Sequence, residues 1–191
     1  MRRRIGALMM TLLVLTGCGR EKAIDQAHRL QSELARINGC KMEAEVHADY
    51  GDRTQDFVLR YELDESEGLI TVLAPEIIEG LAVSLKGDEL EMLINDVRLE
   101  TGKLDPEGLT PISALPVMLR AWREMPILSA GREKHEGADA LIITFGPETE
   151  KPAHCLRFDV ENGMPLTAEI YSGGRAVITC RFTDFEITQF E

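Results

Sequence analysis

The chain predicts an α+β domain: a curved antiparallel half-barrel of about eleven strands, covered by an N-terminal helix and a second helix inserted between strands. Three observations carry this. One apolar stripe at three-four spacing occupies the N-terminal segment, and period-two alternation then dominates the chain. A second helical stripe interrupts the alternation midway. A sheet with that many strands must curl, and two amphipathic helices suffice to cover one of its faces.

The first helix follows from Ala23, Ala27, Leu30, Leu34 and Ile37, with polar residues between and Asn38-Gly39 as a stop. Met42, Ala44, Val46, Ala48 and Tyr50 then alternate with Lys41, Glu43, Glu45, His47 and Asp49, the signature of a half-buried strand. Gly51-Asp52 turns the chain, and Phe57, Leu59, Tyr61 and Leu63 repeat the alternation. Strands follow at Leu69–Ala74, Leu81–Lys86, Glu89–Ile94 and Val97–Thr101, with Gly87-Asp88 and Asn95-Asp96 as tight hairpin turns. After the loop Lys103–Thr110 comes the second helix, with Ser113 expected at its N-cap and Pro116 in its first turn. The last strands are expected around Gly131–His135, Ala138–Phe145, His154–Val160, Pro165–Tyr171 and Ala176–Ile187, separated near the end by Asn162-Gly163 and Ser172–Arg175 turns.

The first eighteen residues have a different character. Arg2, Arg3 and Arg4 precede an apolar run from Ile5 to Leu15, which closes on Leu15-Thr16-Gly17-Cys18. A basic start, an apolar stretch shorter than the ~20 residues that span a bilayer, and small residues at the end make a secretory signal. The Cys directly after Leu-Thr-Gly resembles the lipobox of bacterial lipoproteins, in which that thiol is acylated. The expected organisation is a signal peptide at 1–17, a lipidated Cys18 with a short tether at 18–22, and one domain at 23–191. The expected location is the extracytoplasmic face of a bacterial membrane.

Charge narrows the partners. The chain carries 33 Asp and Glu against 21 Lys and Arg, and loss of the three signal arginines deepens the imbalance. An anionic chain is repelled by phosphate backbones and by anionic bilayers. Nucleic acid is therefore not expected, and attachment falls to the acyl chains on Cys18. With Cys18 lipidated, Cys40, Cys155 and Cys180 remain; an oxidising compartment permits one bridge, and Cys40–Cys180 is the favoured pair against three reduced, buried thiols.

Sites for chemistry are sparse. His28, His47, His135 and His154 lack metal-ligand spacing with one another or with Cys, and His154 and Cys155 fall on opposite faces of a strand. There is no Gly-x-Ser-x-Gly elbow and no phosphate-binding glycine loop. No catalytic residue, metal or cofactor is expected, and the chain is read as a non-enzyme and a monomer. The best functional candidate is the second helix, whose apolar side carries Leu115, Met118, Leu119, Trp122 and Met125. Large, partly flexible side chains on one helical stripe are ordinary core, or a surface adapted to variable apolar ligands. Phe57, Leu59, Tyr61, Ile70 and Val72 would line the same interior from the sheet.

At this level the chain resembles the lipoprotein carrier superfamily typified by LolA and LolB. The matching stretches are Ile70–Pro75 through Gly80 to Leu81–Gly87, and Leu156–Gly163 through to Ile178–Phe185. The lipobox and short spacing look most like the LolA-like lipoproteins of Gram-positive bacteria, such as the germination lipoprotein GerS. The resemblance implies an N-terminal helix, an incomplete antiparallel barrel, and helices plugging its mouth. It implies two functions. One is binding of an apolar ligand, lipid or lipoprotein acyl chains, in the concave face with the second helix as lid. The other is non-enzymatic docking to a cell-envelope enzyme such as a cell-wall amidase. A soluble shuttle is incompatible with a lipidated Cys18, whereas a lipidated LolB-like receiver is not.

Overall fold

A computed structural model of the chain describes residues 17–94, 97–147 and 153–188. The signal segment and the Asn95-Asp96 turn lie outside the described residues, as does the side chain of Cys18. The first helix, α1, spans Gly17–Leu34. It starts before the apolar stripe does, because Arg20, Glu21 and Lys22 are good helix formers. It also ends earlier than Asn38-Gly39, yet Ile37 stays in the core.

Six strands follow: β1 (Gly39–Asp49), β2 (Thr54–Asp64), β3 (Glu67–Ala74), β4 (Ala82–Lys86), β5 (Glu89–Ile94) and β6 (Val97–Lys103). Helix α2 covers Pro111–Glu124. Five more strands follow among the described residues: β7 (Ile127–His135), β8 (Ala138–Phe145), β9 (His154–Asp159), β10 (Pro165–Ser172) and β11 (Arg175–Thr188). The order of elements and the half-barrel class are as the sequence predicts, and they are those the family resemblance implied.

All eleven strands form one antiparallel, open sheet in the order β6-β5-β4-β3-β2-β1-β11-β10-β9-β8-β7. The first and last strands therefore lie side by side at its centre, and β6 and β7 are its two edges. Since α2 connects those edges, it must cross the sheet, and it touches β1, β2 and β10 near the middle. Helix α1 covers β7 and β8 and meets α2.

Alternation assigns the faces. On β1 the buried row is Cys40, Met42, Ala44, Val46 and Ala48. Its register with β2 sets Met42 against Tyr61 and Ala44 against Leu59, and β3 continues the row with Ile70 and Val72. The opposite, outer face is polar and cross-paired: Glu43 Oε1 accepts from Arg60 at 2.6 Å, and Arg157 bridges Glu133 at 2.6 Å and Glu169 at 3.5 Å. A bulge at Thr183 changes the parity of β11, so that Phe182 pairs with Ala44 and Phe185 with Met42 on the same inner face. Plain alternation would have turned Phe185 outward.

The structure corrects the cysteine expectation. Cys40, Cys155 and Cys180 are free and buried. Cys180 lies opposite Val46 on β1, six residues beyond Cys40, which itself faces Ile187. At ~3.3 Å per residue that separation is about 20 Å, far beyond the ~4.4–6.8 Å between Cα atoms that a disulfide spans. Burial pushes the Cys40 and Cys155 thiols up to about 11.

Candidate functional site

The residues singled out on α2 and the sheet do converge. Leu115, Met118, Leu119 and Trp122 are essentially inaccessible, and so are Leu59, Tyr61, Ile70 and Val72 beneath them. Two members are peripheral. Met125 caps the C-terminal end of α2 and is only partly buried, and Phe57 packs against the core's rim. The interior between α2 and the concave sheet is thus filled by side chains.

Residues that the helical stripe could not announce complete the site. The Trp122 ring meets Phe158 and Phe182 edge-on at 5.7 and 5.5 Å. These rings come from β9 and β11, distant in sequence. The only available signal was that both fall on alternating apolar positions. His154 is a second addition. It sits on the inner row of β9 between Phe145 and Ile170, is buried, and its Nδ1 has no partner among the described residues. Burial alone holds its imidazole down to about 4. It is neutral at pH 7, in an apolar setting. Trp122 Nε1 and Arg123 Nε are likewise buried without a partner among the described residues.

Helix α2 is held differently at its two ends. At its start, Ser113 is not the N-cap; Thr110 occupies that position and Pro111 the first helical one, where its missing N–H is harmless. Ser113 instead knots the preceding loop. Its Oγ accepts from the Asp105 amide at 3.1 Å and from Thr110 Oγ1 at 2.9 Å. Asp105 in turn accepts from the Glu107 and Leu109 amides, and Tyr50 Oη donates to the Leu109 carbonyl at 2.9 Å. Gly108, at φ +71, lets the loop lie directly on the site; a Cβ there would come within 2.8 Å of Ile170 and 3.0 Å of Val117.

The other end is looser. Arg120 Nη2 donates to Asp88 in an exposed pair at 2.9 Å, and Gln31 Nε2 donates to the Met125 carbonyl at 2.8 Å. Beside it opens a crevice of about 130 Å³, lined by Tyr61, Gly68, Leu85, Leu119, Arg120 and Arg123 among others. Gly68 makes room there for the Tyr61 ring, since a Cβ would lie 2.7 Å from Cε2. Burial pushes the Tyr61 phenol up to about 12.

Arg60 lies on the outer face, paired with Glu43. His47 bonds Asp56 at 2.6 Å, also on that face. Among the described residues no three His, Cys, Asp or Glu side chains gather to hold a metal ion, and no helix is long and apolar enough to cross a membrane.

No protein-family model matches the sequence, and no curated protein matches it. Solved structures share the fold at low identity. A DUF1329 family protein from Desulfovibrio piger is 13% identical with a TM-score of 0.50, the match covering 88% of this chain and 93% of that one. A LolA superfamily protein from Nitrosomonas europaea is 14% identical with a TM-score of 0.47, over 86% and 94% of the two chains. A chain from the complex of the CwlD amidase with the GerS lipoprotein of Clostridioides difficile is 16% identical with a TM-score of 0.41, over 98% and 100%.

Proposed function

We propose that this chain is a non-enzymatic envelope lipoprotein, anchored through Cys18, that takes up an apolar ligand between α2 and the concave sheet. The ligand class is a lipid or the acyl chains of another lipoprotein. The conformation described above is then the closed one, because a crevice of about 130 Å³ is smaller than the roughly 300–1,000 Å³ of ordinary ligand pockets. Entry requires α2 to swing away from the sheet.

The observation that carries this reading is the unequal fastening of α2. Its N-terminal end is knotted by the Asp105–Thr110–Ser113 network and Tyr50. Its C-terminal half sets Leu119 and Trp122 on a largely apolar floor that includes the Tyr61 ring, and next to the crevice it is held by an exposed ion pair and the Gln31–Met125 bond. Exposed pairs contribute only ~0–1 kcal/mol, so Arg120–Asp88 is a weak latch. Opening would expose an apolar face that a ligand can re-cover. The buried, unpartnered Trp122 Nε1 and Arg123 Nε add polar groups suited to a ligand's carbonyl or head group.

The test is uptake of a fluorescent fatty acyl probe, together with native mass spectrometry for co-purified lipid. Leu119→Glu should abolish uptake, and Asp88→Lys, which breaks the latch without touching the interior, should accelerate it. A lipid-free protein that takes up no probe in either wild-type or Asp88→Lys form would eliminate this function.

A second reading, docking to an envelope enzyme, is favoured by the filled interior and by a charged outer groove of about 830 Å³. That groove runs across β2 to β6 and is lined by Glu62, Asp64, Glu67, Glu91 and Arg98 among others. Under this reading the interior is plain core, and enzyme binding would respond to charge reversal at Glu62 or Glu67 while probe uptake is absent throughout.

A further inference from the structure

The two edges of the sheet are finished differently. Edge strand β7 is covered by α1. Edge strand β6 is not: every residue from Val97 to Lys103 is exposed. Its backbone presents an unpaired row of donors and acceptors, the usual template for adding another strand.

The side chains on that edge are apolar on one face and charged on the other. Leu99 pairs with Met92, which pairs with Val83 of the core, so Leu99 belongs to the inner face. Ile94 and Val97 close the β5–β6 hairpin beside it. Ile94, Val97 and Leu99 are 41%, 55% and 48% exposed, an unusual concentration of bare β-formers on one edge. On the outer face, Arg98 pairs with Glu91 at 3.1 Å, whereas Glu100 stands directly opposite Glu91 and has no cation among the described residues.

We propose that β6 pairs antiparallel with β6 of a second copy of this chain, with Leu99 on the two-fold axis, joining two half-barrels edge to edge. The occupant follows from the strand's own sequence. A two-fold axis through Leu99 sets Leu99 against its counterpart, Val97 against Thr101, and Arg98 against Glu100 in both directions. The two Leu99 side chains then meet on the inner face, with Val97 beside them on the same strand. On the outer face each Glu100 gains the cation it lacks. Moving the axis to Glu100 would instead oppose two glutamates. The bulge at Thr101, where Thr101 Oγ1 turns back to the Leu90 carbonyl at 3.1 Å, limits the ladder to about five residues. The association is accordingly weak and concentration-dependent. It is independent of ligand uptake, because none of these residues lines the crevice under α2.

The register makes the proposal testable by charge swapping and cross-linking. Two differently tagged full-length copies in non-ionic detergent should co-capture one another. Arg98→Glu alone or Glu100→Arg alone sets like charges opposite each other twice, and should weaken self-capture by about tenfold or more. Mixing the Arg98→Glu and Glu100→Arg proteins restores both pairs, so hetero-capture should return to the wild-type level. Leu99→Cys should cross-link to itself under mild oxidation, since facing Cα atoms lie ~4.5–5.5 Å apart, whereas Val97→Cys should cross-link only with Thr101→Cys. Capture indifferent to these charges would reflect shared micelles and overturn the proposal. Equal self-cross-linking of Val97→Cys and Leu99→Cys, or no capture at all, would overturn it too.

Discussion

Lowering the pH from 7 to 4.5 should cost the folded state about 2 kcal/mol through His154 alone. The imidazole is buried on the inner row of β9, with Phe145 and Ile170 opposite it. Burial depresses its pKa from an ordinary 6.5 to about 4. Above pH 6.5 neither the folded nor the unfolded chain protonates this group, so it exacts nothing. Below 6.5 the unfolded chain gains a proton that the folded chain refuses, and stability falls by ~1.4 kcal/mol per pH unit. Near pH 4 the folded site protonates as well and the loss levels off. Integrated from pH 7 to 4.5, with rounding at both ends of the window, the contribution is about 2 kcal/mol.

The assay is urea unfolding followed by fluorescence. Trp122, the single tryptophan, is buried at the helix–sheet interface and reports its opening directly. The acidic residues titrate over part of the same range, so the informative quantity is the difference between wild type and His154→Leu. The variant should lose less stability than wild type by about 2 kcal/mol between pH 7 and 4.5. Parallel stability curves for the two proteins would refute the reasoning. They would mean that the imidazole reaches water in the folded state, or that it is protonated there.

Three further outcomes are expected. Trp122→Ala, which removes a ring held by Phe158 and Phe182, should lower unfolding free energy by about 3–5 kcal/mol in the same denaturant assay. Gly108→Ala should lower it by about 1–3 kcal/mol, because the residue must hold φ +71 while its Cβ meets Ile170 and Val117. Cys40, Cys155 and Cys180 should resist alkylation at pH 8 in the folded protein and all react on unfolding without reductant, a result that any native bridge among them would prevent.

Local period was enough to read most elements, and it failed where pairing is non-local. Glu89–Ile94 and Ala138–Phe145 were readable to the residue because glycine, proline or polar turns bound them closely on both sides. The bulge at Thr183 was not readable, since it exists only in relation to β1, and it decides which way Phe185 faces. The Cys40–Cys180 error has the same origin. Position within a strand was correct for both residues, but their separation depends on the register between β1 and β11. At α2 the stripe named Leu115, Met118, Leu119 and Trp122, which the structure buries against the sheet, whereas Phe158, Phe182 and His154 required the sheet to be assembled. Ser113 was misplaced by three positions because a hydroxyl before a helix reads alike whether it caps the helix or ties the loop.

The topology itself explains why the interior and the edge can serve separate purposes. With β1 and β11 adjacent, the chain leaves the centre in both directions and reaches two free edges. The connection between those edges has to cross the open side, so the helix it carries becomes the cover of the concave face. That single crossing closes the interior, and α1 then finishes the β7 side only. What remains bare is β6, whose Arg98 and Glu100 point away from the interior that Leu119 and Trp122 fill. Leu119→Glu should therefore remove ligand uptake and spare self-capture, while Arg98→Glu should do the reverse. A variant at either place that disturbed both readouts would mean that edge and interior are coupled through β4 and β5, and the separation argued from the topology would fall.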